Sequence, residues 1–185
     1  MGNAKLRIVL LSGPICSGKS VLVQLLKEKH EAKIIKTREL ILKKAPNTKP
    51  ERKALQLAGQ RLDTKDGGAW VAEALQRAID IYATGQTPKG LYVVDSVRIP
   101  GQIEAIRRAY GAEVHHIHLT ATDGVLRKRY EERSREDDEA LAYDDLKRNR
   151  TERQIEKLAD IADIVVSTDR CSKEAVLVRA TALLN

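Results

Sequence analysis

Gly13-Pro14-Ile15-Cys16-Ser17-Gly18-Lys19-Ser20 is the stretch that decides the fold. The apolar run Ile8-Val9-Leu10-Leu11 leads into it, and Val21-Leu22-Val23-Gln24-Leu25-Leu26 continues from it. That order is strand, glycine loop, helix, and the spacing GxxxxGKS is a complete Walker A loop. Each residue type has its own task. Gly13 and Gly18 let the backbone wrap so that successive N–H groups face phosphate oxygens. The helix that starts near Gly18 adds the positive end of its dipole. Lys19 supplies a mobile charge for the β- and γ-phosphates, and Ser20 offers a hydroxyl to Mg²⁺. The expected triphosphate contacts are Gly13, Pro14, Ile15, Cys16, Ser17, Gly18, Lys19, Ser20 and Val21.

A chain of 185 residues is most simply one domain with room for a good core. It reads as a whole small enzyme or as a domain of something longer. No apolar run approaches the ~20 residues of a membrane-spanning helix. Cys16 and Cys171 stand far apart without metal or CxxC spacing, which suits a reducing, cytoplasmic setting. Thirty-three Lys and Arg against 26 Asp and Glu give a net charge of +7, a balance suited to nucleotides or nucleic acid. With no Phe, one Trp and five Tyr, stacking platforms for single strands are few and the core must be aliphatic.

Strands are expected at about residues 6–11, 32–36, 91–94, 113–119 and 164–166, each short and apolar. Helices are expected at 18–29, from Thr37 as a cap to before Pro46, at 51–62, from Trp70 onward, at 100–110, from Thr122 or Asp123 to Arg133, at 145–159, and after a Ser172 cap. The polar run 63–68 should interrupt the second pair of helices, and 134–145 reads as an acidic connecting segment. Repeated βα units predict a parallel sheet covered on both faces.

In such a sheet, ligands gather at the C-terminal strand ends. After strand three, Asp95 is the natural carboxylate for Mg²⁺, so the metal is assigned to Ser20 and Asp95. Thr37 and Arg38 follow strand two, and Arg98 follows strand three; an arginine fork matches phosphate geometry, which makes these candidates for an acceptor phosphate. Of the arginines at 127, 129, 133, 148, 150 and 153, Arg129 and Arg133 share one helix face and are the first candidates to close over a transferring phosphoryl group. His115, His116 and His118 alternate along a strand and lack neighbouring ligands, so a metal role is not assigned to them.

Together these residues resemble those of the nucleotide-kinase branch of P-loop phosphotransferases, which includes nucleoside and deoxynucleoside monophosphate kinases and dephospho-CoA kinases. Asp95-Ser96-Val97-Arg98 resembles the Asp-Gly-Phe-Pro-Arg stretch of adenylate-type kinases, one residue shorter. Gln102 falls where such kinases place a base-reading side chain, and Arg129 and Arg133 resemble the paired arginines that open a lid. Thr37-Arg38 matches a Thr-Gly-Asp segment only in part, and the second strand lacks the acidic segment of dephospho-CoA kinases. The resemblance implies a three-layer αβα P-loop fold with a five-stranded parallel sheet. It divides the chain into a core (1–36, 91–133 and 151–185), an acceptor-binding insert (37–90) and a lid (about 134–150).

The implied activity is transfer of the γ-phosphoryl group of ATP, with Mg²⁺, to a nucleoside monophosphate or similar small phosphorylated acceptor. Lys19, Asp95, Arg129 and Arg133 are the catalytic candidates, and Thr37, Arg38, Arg98 and Gln102 the acceptor-binding ones. Two other readings stay open: a polynucleotide-directed P-loop kinase or ATPase, and a non-catalytic nucleotide-binding regulatory module.

Overall fold

The structure is a computed structural model that describes residues 5–133, 142–148 and 150–184. Five parallel strands lie in the order β2-β3-β1-β4-β5. They are β1 (Leu6–Ser12), β2 (Lys33–Lys36), β3 (Gly90–Asp95), β4 (Val114–Thr120) and β5 (Ile164–Ser167). The register sets Leu11 against Asp95, Lys36 against Asp95 and Ser12 against His118. The loops that leave β1, β2 and β3 therefore emerge side by side.

Alternation along β1 builds both faces of the core. Ile8 and Leu10 point to one side, with Ile35, Val94 and the helices α2 (Thr37–Lys44), α3 (Arg52–Asp66), α4 (Trp70–Ala83) and α5 (Pro100–Tyr110). Val9 and Leu11 point to the other, against α1 (Lys19–His30) and α9 (Lys173–Thr181). All four β1 side chains are fully buried, and each such aliphatic residue contributes roughly 1.5–3 kcal/mol. The sheet is thus covered on both faces by aliphatic side chains, the three-layer αβα arrangement expected.

A third, smaller cluster joins Leu126 and Tyr130 of α6 (Asp123–Glu132) to Tyr143 and Leu146 of α7 (Tyr143–Arg148), with Ile15 and Cys16 packed against it. It fixes the base of the late helical segment directly against the phosphate loop. Among the described residues no helix is long and apolar enough to cross a membrane.

Several local expectations are corrected. Thr37 is the first residue of α2 and not its cap; Lys36 holds that position, and the Thr37 hydroxyl donates instead to the Ser96 carbonyl at 2.8 Å. Helix α3 runs one turn past Leu62, to Asp66, and stops where Gly67 takes the left-handed conformation at φ 68°. Of the helix expected over 145–159, the residues up to Arg148 in α7 and Arg150–Glu156 (α8) are helical, and a 3₁₀ turn follows at Lys157–Ile161. Of the lid segment, residues 134–141 and 149 lie outside the described residues. The Ser172 cap forms as expected, its hydroxyl accepting from the Ala175 N–H at 3.1 Å.

Candidate active site

The phosphate loop is closed on itself. Ser17 N–H donates to the Pro14 carbonyl at 3.2 Å, and Lys19 Nζ donates to the carbonyls of Gly13 at 2.6 Å and Pro14 at 2.8 Å. Gly13 is required by space: a Cβ there would stand 2.3 Å from the Leu119 carbonyl oxygen. Gly13, Cys16 and Gly18 have φ of 140°, 60° and 93°, so the chain takes positive φ three times within the loop. Such alternation turns successive N–H groups toward one point. Burial pushes the Lys19 ammonium down to about 8, while the nearby carboxylates of Glu152 and Asp95 hold it up.

Asp95 ends β3. Burial raises its carboxyl above the usual range, and Lys19, Lys36 and Arg98 pull it back down. Lys19, Asp95 and Arg98 therefore lie within electrostatic reach of one another at the C-terminal edge of the sheet. The β3–α5 loop that carries Arg98 is anchored by Val97 N–H donating to the Leu11 carbonyl at 2.9 Å. Asp95 and the exposed Ser20 offer hard oxygen donors, the ligand chemistry that suits Mg²⁺ when most remaining ligands are phosphate and water.

Arg98 is exposed, and so is Arg38 on the first turn of α2. Neither arginine forms an ion pair among the described residues, but the charge of Arg98 acts on Asp95 and Lys19. Gln102 is 2 % exposed and its amide is spent within the protein. Its Oε1 accepts from Arg98 N–H at 2.9 Å, and its Nε2 donates to Asp63 Oδ1 at 2.9 Å. The same Asp63 oxygen accepts from Trp70 Nε1 at 2.8 Å. Gln102 thus holds the Arg98 backbone against the turn between α3 and α4. That contact is tight: a Cβ on Gly101 would fall 1.9 Å from the Gly67 carbonyl oxygen.

Arg129 braces the other flank of the loop. Its guanidinium donates to Thr168 Oγ1 and Thr168 O, both at 2.9 Å, and to the Cys16 carbonyl at 3.3 Å. Arg133 is exposed, and its charge acts on the Cys16 thiol. Burial raises that thiol above its ordinary value, with Arg133, Lys19 and Arg129 opposing the rise. Arg127 faces elsewhere, pairing with Asp144 at 2.5 Å and lying 4.9 Å over the Tyr143 ring, and so braces α6 on α7.

Three participants carry no motif that would single them out in the sequence. Glu152 acts on Lys19 from α8. Thr168 receives Arg129, and its only sequence signal is its place just after β5. Ser12 lies between two histidines, its Oγ 2.7 Å from His116 Nε2 and 2.8 Å from His118 Nδ1. Those rings converge on a hydroxyl, and among the described residues no group of three His, Cys, Asp or Glu side chains is arranged to hold a metal.

Comparison with known proteins bears on the family and the fold. Residues 9–156 match the AAA domain family. The chain is similar to a UPF0200 protein of Saccharolobus islandicus, 28% identical over 167 residues that cover 89% of this chain and 85% of the relative. A UPF0200 protein of Saccharolobus solfataricus matches with the same identity and coverage. Among solved structures, a gluconokinase from Sinorhizobium meliloti 1021 superposes with a TM-score of 0.63 at 15% identity, over 98% of this chain and 93% of that one. A sugar kinase from Janibacter sp. HTCC2649 gives 0.62 at 15% identity, over 96% and 94%. These likenesses speak to fold alone. The chain belongs to the AAA domain family and has the αβα fold of P-loop kinases.

Proposed function

We propose that the protein transfers the γ-phosphoryl group of ATP to a small phosphorylated acceptor of the nucleoside monophosphate kind. The observation that carries this reading is the grouping of Lys19, Asp95 and Arg98: a donor-loop ammonium, a carboxylate and an exposed guanidinium at one strand edge. Lys19 would follow the β- and γ-phosphates, and Arg98 would hold the acceptor phosphate. Ser20 and Asp95 would hold Mg²⁺, which neutralises phosphate charge as transfer proceeds. An acceptor phosphate oxygen attacks the γ-phosphorus, the bond to the β–γ bridging oxygen breaks, and ADP leaves. A phosphate nucleophile is already anionic and needs no base, which leaves Asp95 to the metal.

In this reading residues 37–90 form the acceptor-binding insert and about 134–150 the lid, with Thr37 and Arg38 at the insert's root. Gln102 positions Arg98 through its backbone. Arg129 sets the flank of the loop where the donor base would lie, and Arg133 is the exposed arginine left to close over the transferring group. Both cysteines are free thiols, in keeping with a cytoplasmic enzyme.

The direct test is ATP turnover across nucleosides, ribo- and deoxyribonucleoside monophosphates and dephospho-CoA. Stimulation by a monophosphate, lost in Arg98→Met, supports the reading; a flat panel contradicts it.

One observation favours a second reading. A hollow of about 460 Å³ is lined by Arg148, Arg153, Gln154 and Lys157. Three cations around one hollow suit a polyanion, and an oligonucleotide acceptor would show steeply salt-dependent binding.

A further inference from the structure

The Ser12–His116–His118 group lies directly beneath the phosphate loop. A hydroxyl has one proton, so Ser12 can donate to only one of the two rings, and the other ring must donate to it. His116 Nδ1 lies 3.4 Å from the Ile161 carbonyl oxygen, which only accepts. His116 therefore carries its proton on Nδ1, and its Nε2 accepts from Ser12. Ser12 Oγ in turn accepts from His118 Nδ1–H. Burial keeps both rings neutral, with each pushed down to about 4. His118 Nε2 is left as a bare acceptor. The residue is 2 % exposed, and among the described residues nothing donates to that atom. No sealed side-chain polar atom lacks a partner among these residues, so Nε2 opens onto a space.

That space is a cavity of about 260 Å³ lined by His118, Pro14, Thr120, Asp123, Lys147 and Glu156, among others. One water needs about 10–15 Å³, and drug-sized ligands occupy roughly 300 Å³ or more, so the cavity suits a molecule of about a dozen heavy atoms. Its charges are unequal. Lys147 Nζ is committed to Asp123 Oδ1 at 2.6 Å, and the Tyr143 hydroxyl donates to the same oxygen at 3.0 Å. Glu156 has no ion-pair partner among the described residues, although both Lys147 and Tyr143 feel its charge. The cavity thus offers an imidazole acceptor inside and a spare carboxylate, and the one cation among its described lining residues is already paired. A ligand must bring donors, and an anion is disfavoured.

We propose that this cavity binds a small amino-polyol, whose hydroxyl donates to His118 Nε2 and whose ammonium pairs with Glu156. It lies on the β4 side of the phosphate loop, whereas Arg98 lies on the β3 side. The inference therefore does not rest on the phosphoryl-transfer reading. A bound molecule would link the phosphate loop at Pro14 to α7 and α8.

The probes are glucosamine, glucose and glucosamine 6-phosphate, titrated calorimetrically into the full chain, with nitrogen resonances of the His118 ring followed in parallel. The expected free state has a proton on Nδ1 and a bare Nε2, whose resonance moves on adding glucosamine. Glucose should bind about tenfold more weakly, having lost one charge-assisted hydrogen bond, and the 6-phosphate more weakly still. Glu156→Gln should erase the advantage of glucosamine over glucose while leaving the His118 response in place. His118→Phe should abolish both; if that variant does not fold, the wild-type ring resonances and Glu156→Gln decide. A protonated Nε2 in the free protein, an Nε2 resonance unmoved by millimolar glucosamine, or equal binding of the 6-phosphate would overturn the proposal.

Discussion

Gln102 Nε2 donates to Asp63 Oδ1 at 2.9 Å across 39 residues of sequence, and the other end of the same amide receives the Arg98 N–H. One buried side chain thereby fixes where the α3–α4 turn and the arginine-bearing loop meet. Gln102→Leu would leave a buried N–H and part of a carboxylate unpaired, at a cost of about 1–3 kcal/mol in denaturant unfolding. In turnover assays the acceptor KM should rise while ATP affinity stays near wild type. A variant of unchanged stability and unchanged acceptor KM would refute the positioning role.

Arg129 ties Cys16 in the phosphate loop to Thr168 in the loop after β5. Arg129→Met keeps much of the side-chain volume but removes all three hydrogen bonds. Charge-assisted bonds contribute about 1.5–3 kcal/mol each at most, so a stability loss of roughly 2 kcal/mol is expected. ATP binding should weaken as well, because the loop loses its brace. Calorimetric titration with ATP checks this, and unchanged affinity would show that the loop holds its shape unaided.

The buried histidines give stability a definite pH dependence. Their folded values are about 4, below the ordinary 6.5 of the unfolded chain. Between those limits the unfolded state binds more protons, so stability is fully present above about 6.5 and falls as pH drops toward about 4. Asp95, raised by burial, acts in the opposite sense in the lower part of that window, as one group against two. Denaturation midpoints measured across the window should therefore decline on acidification. A level profile would mean that neither ring is held neutral in the folded protein across that window.

Lys19 sets a second pH boundary, this time for binding. With its ammonium held at about 8, the nucleotide-free protein loses this charge as pH rises past that value. ATP affinity should be level below about pH 8 and fall above it, by up to about tenfold per pH unit. Lys19→Met should bind weakly at every pH and show no such break. Titrations at pH values on either side of 8 test the shape of the curve.

The phosphate loop and the five short strands of a parallel sheet were legible because their signals are local: glycine spacing and apolar runs. The end of α3 was not. Asp63-Thr64-Lys65-Asp66 reads as a break by propensity, yet Asp63 is held in the helix by what it bonds, Trp70 and Gln102. Gln102 sits at a position that suggested base reading, and only the fold shows its amide turned inward. Arg129 was visible on its helix face, but its partners Cys16 and Thr168 belong to other elements brought near by the sheet. The same holds for Ser12, whose histidine partners stand 104 and 106 residues away. Partnership across that distance leaves no spacing in the sequence to read.

Transfer of labelled phosphate from γ-labelled ATP to a nucleoside monophosphate, with Mg²⁺, in wild type and Lys19→Ala is the most direct test of the central claim. Labelled nucleoside diphosphate is expected from the wild type and none above background from the variant. Label released only as inorganic phosphate, or equal transfer by Lys19→Ala, would contradict the account.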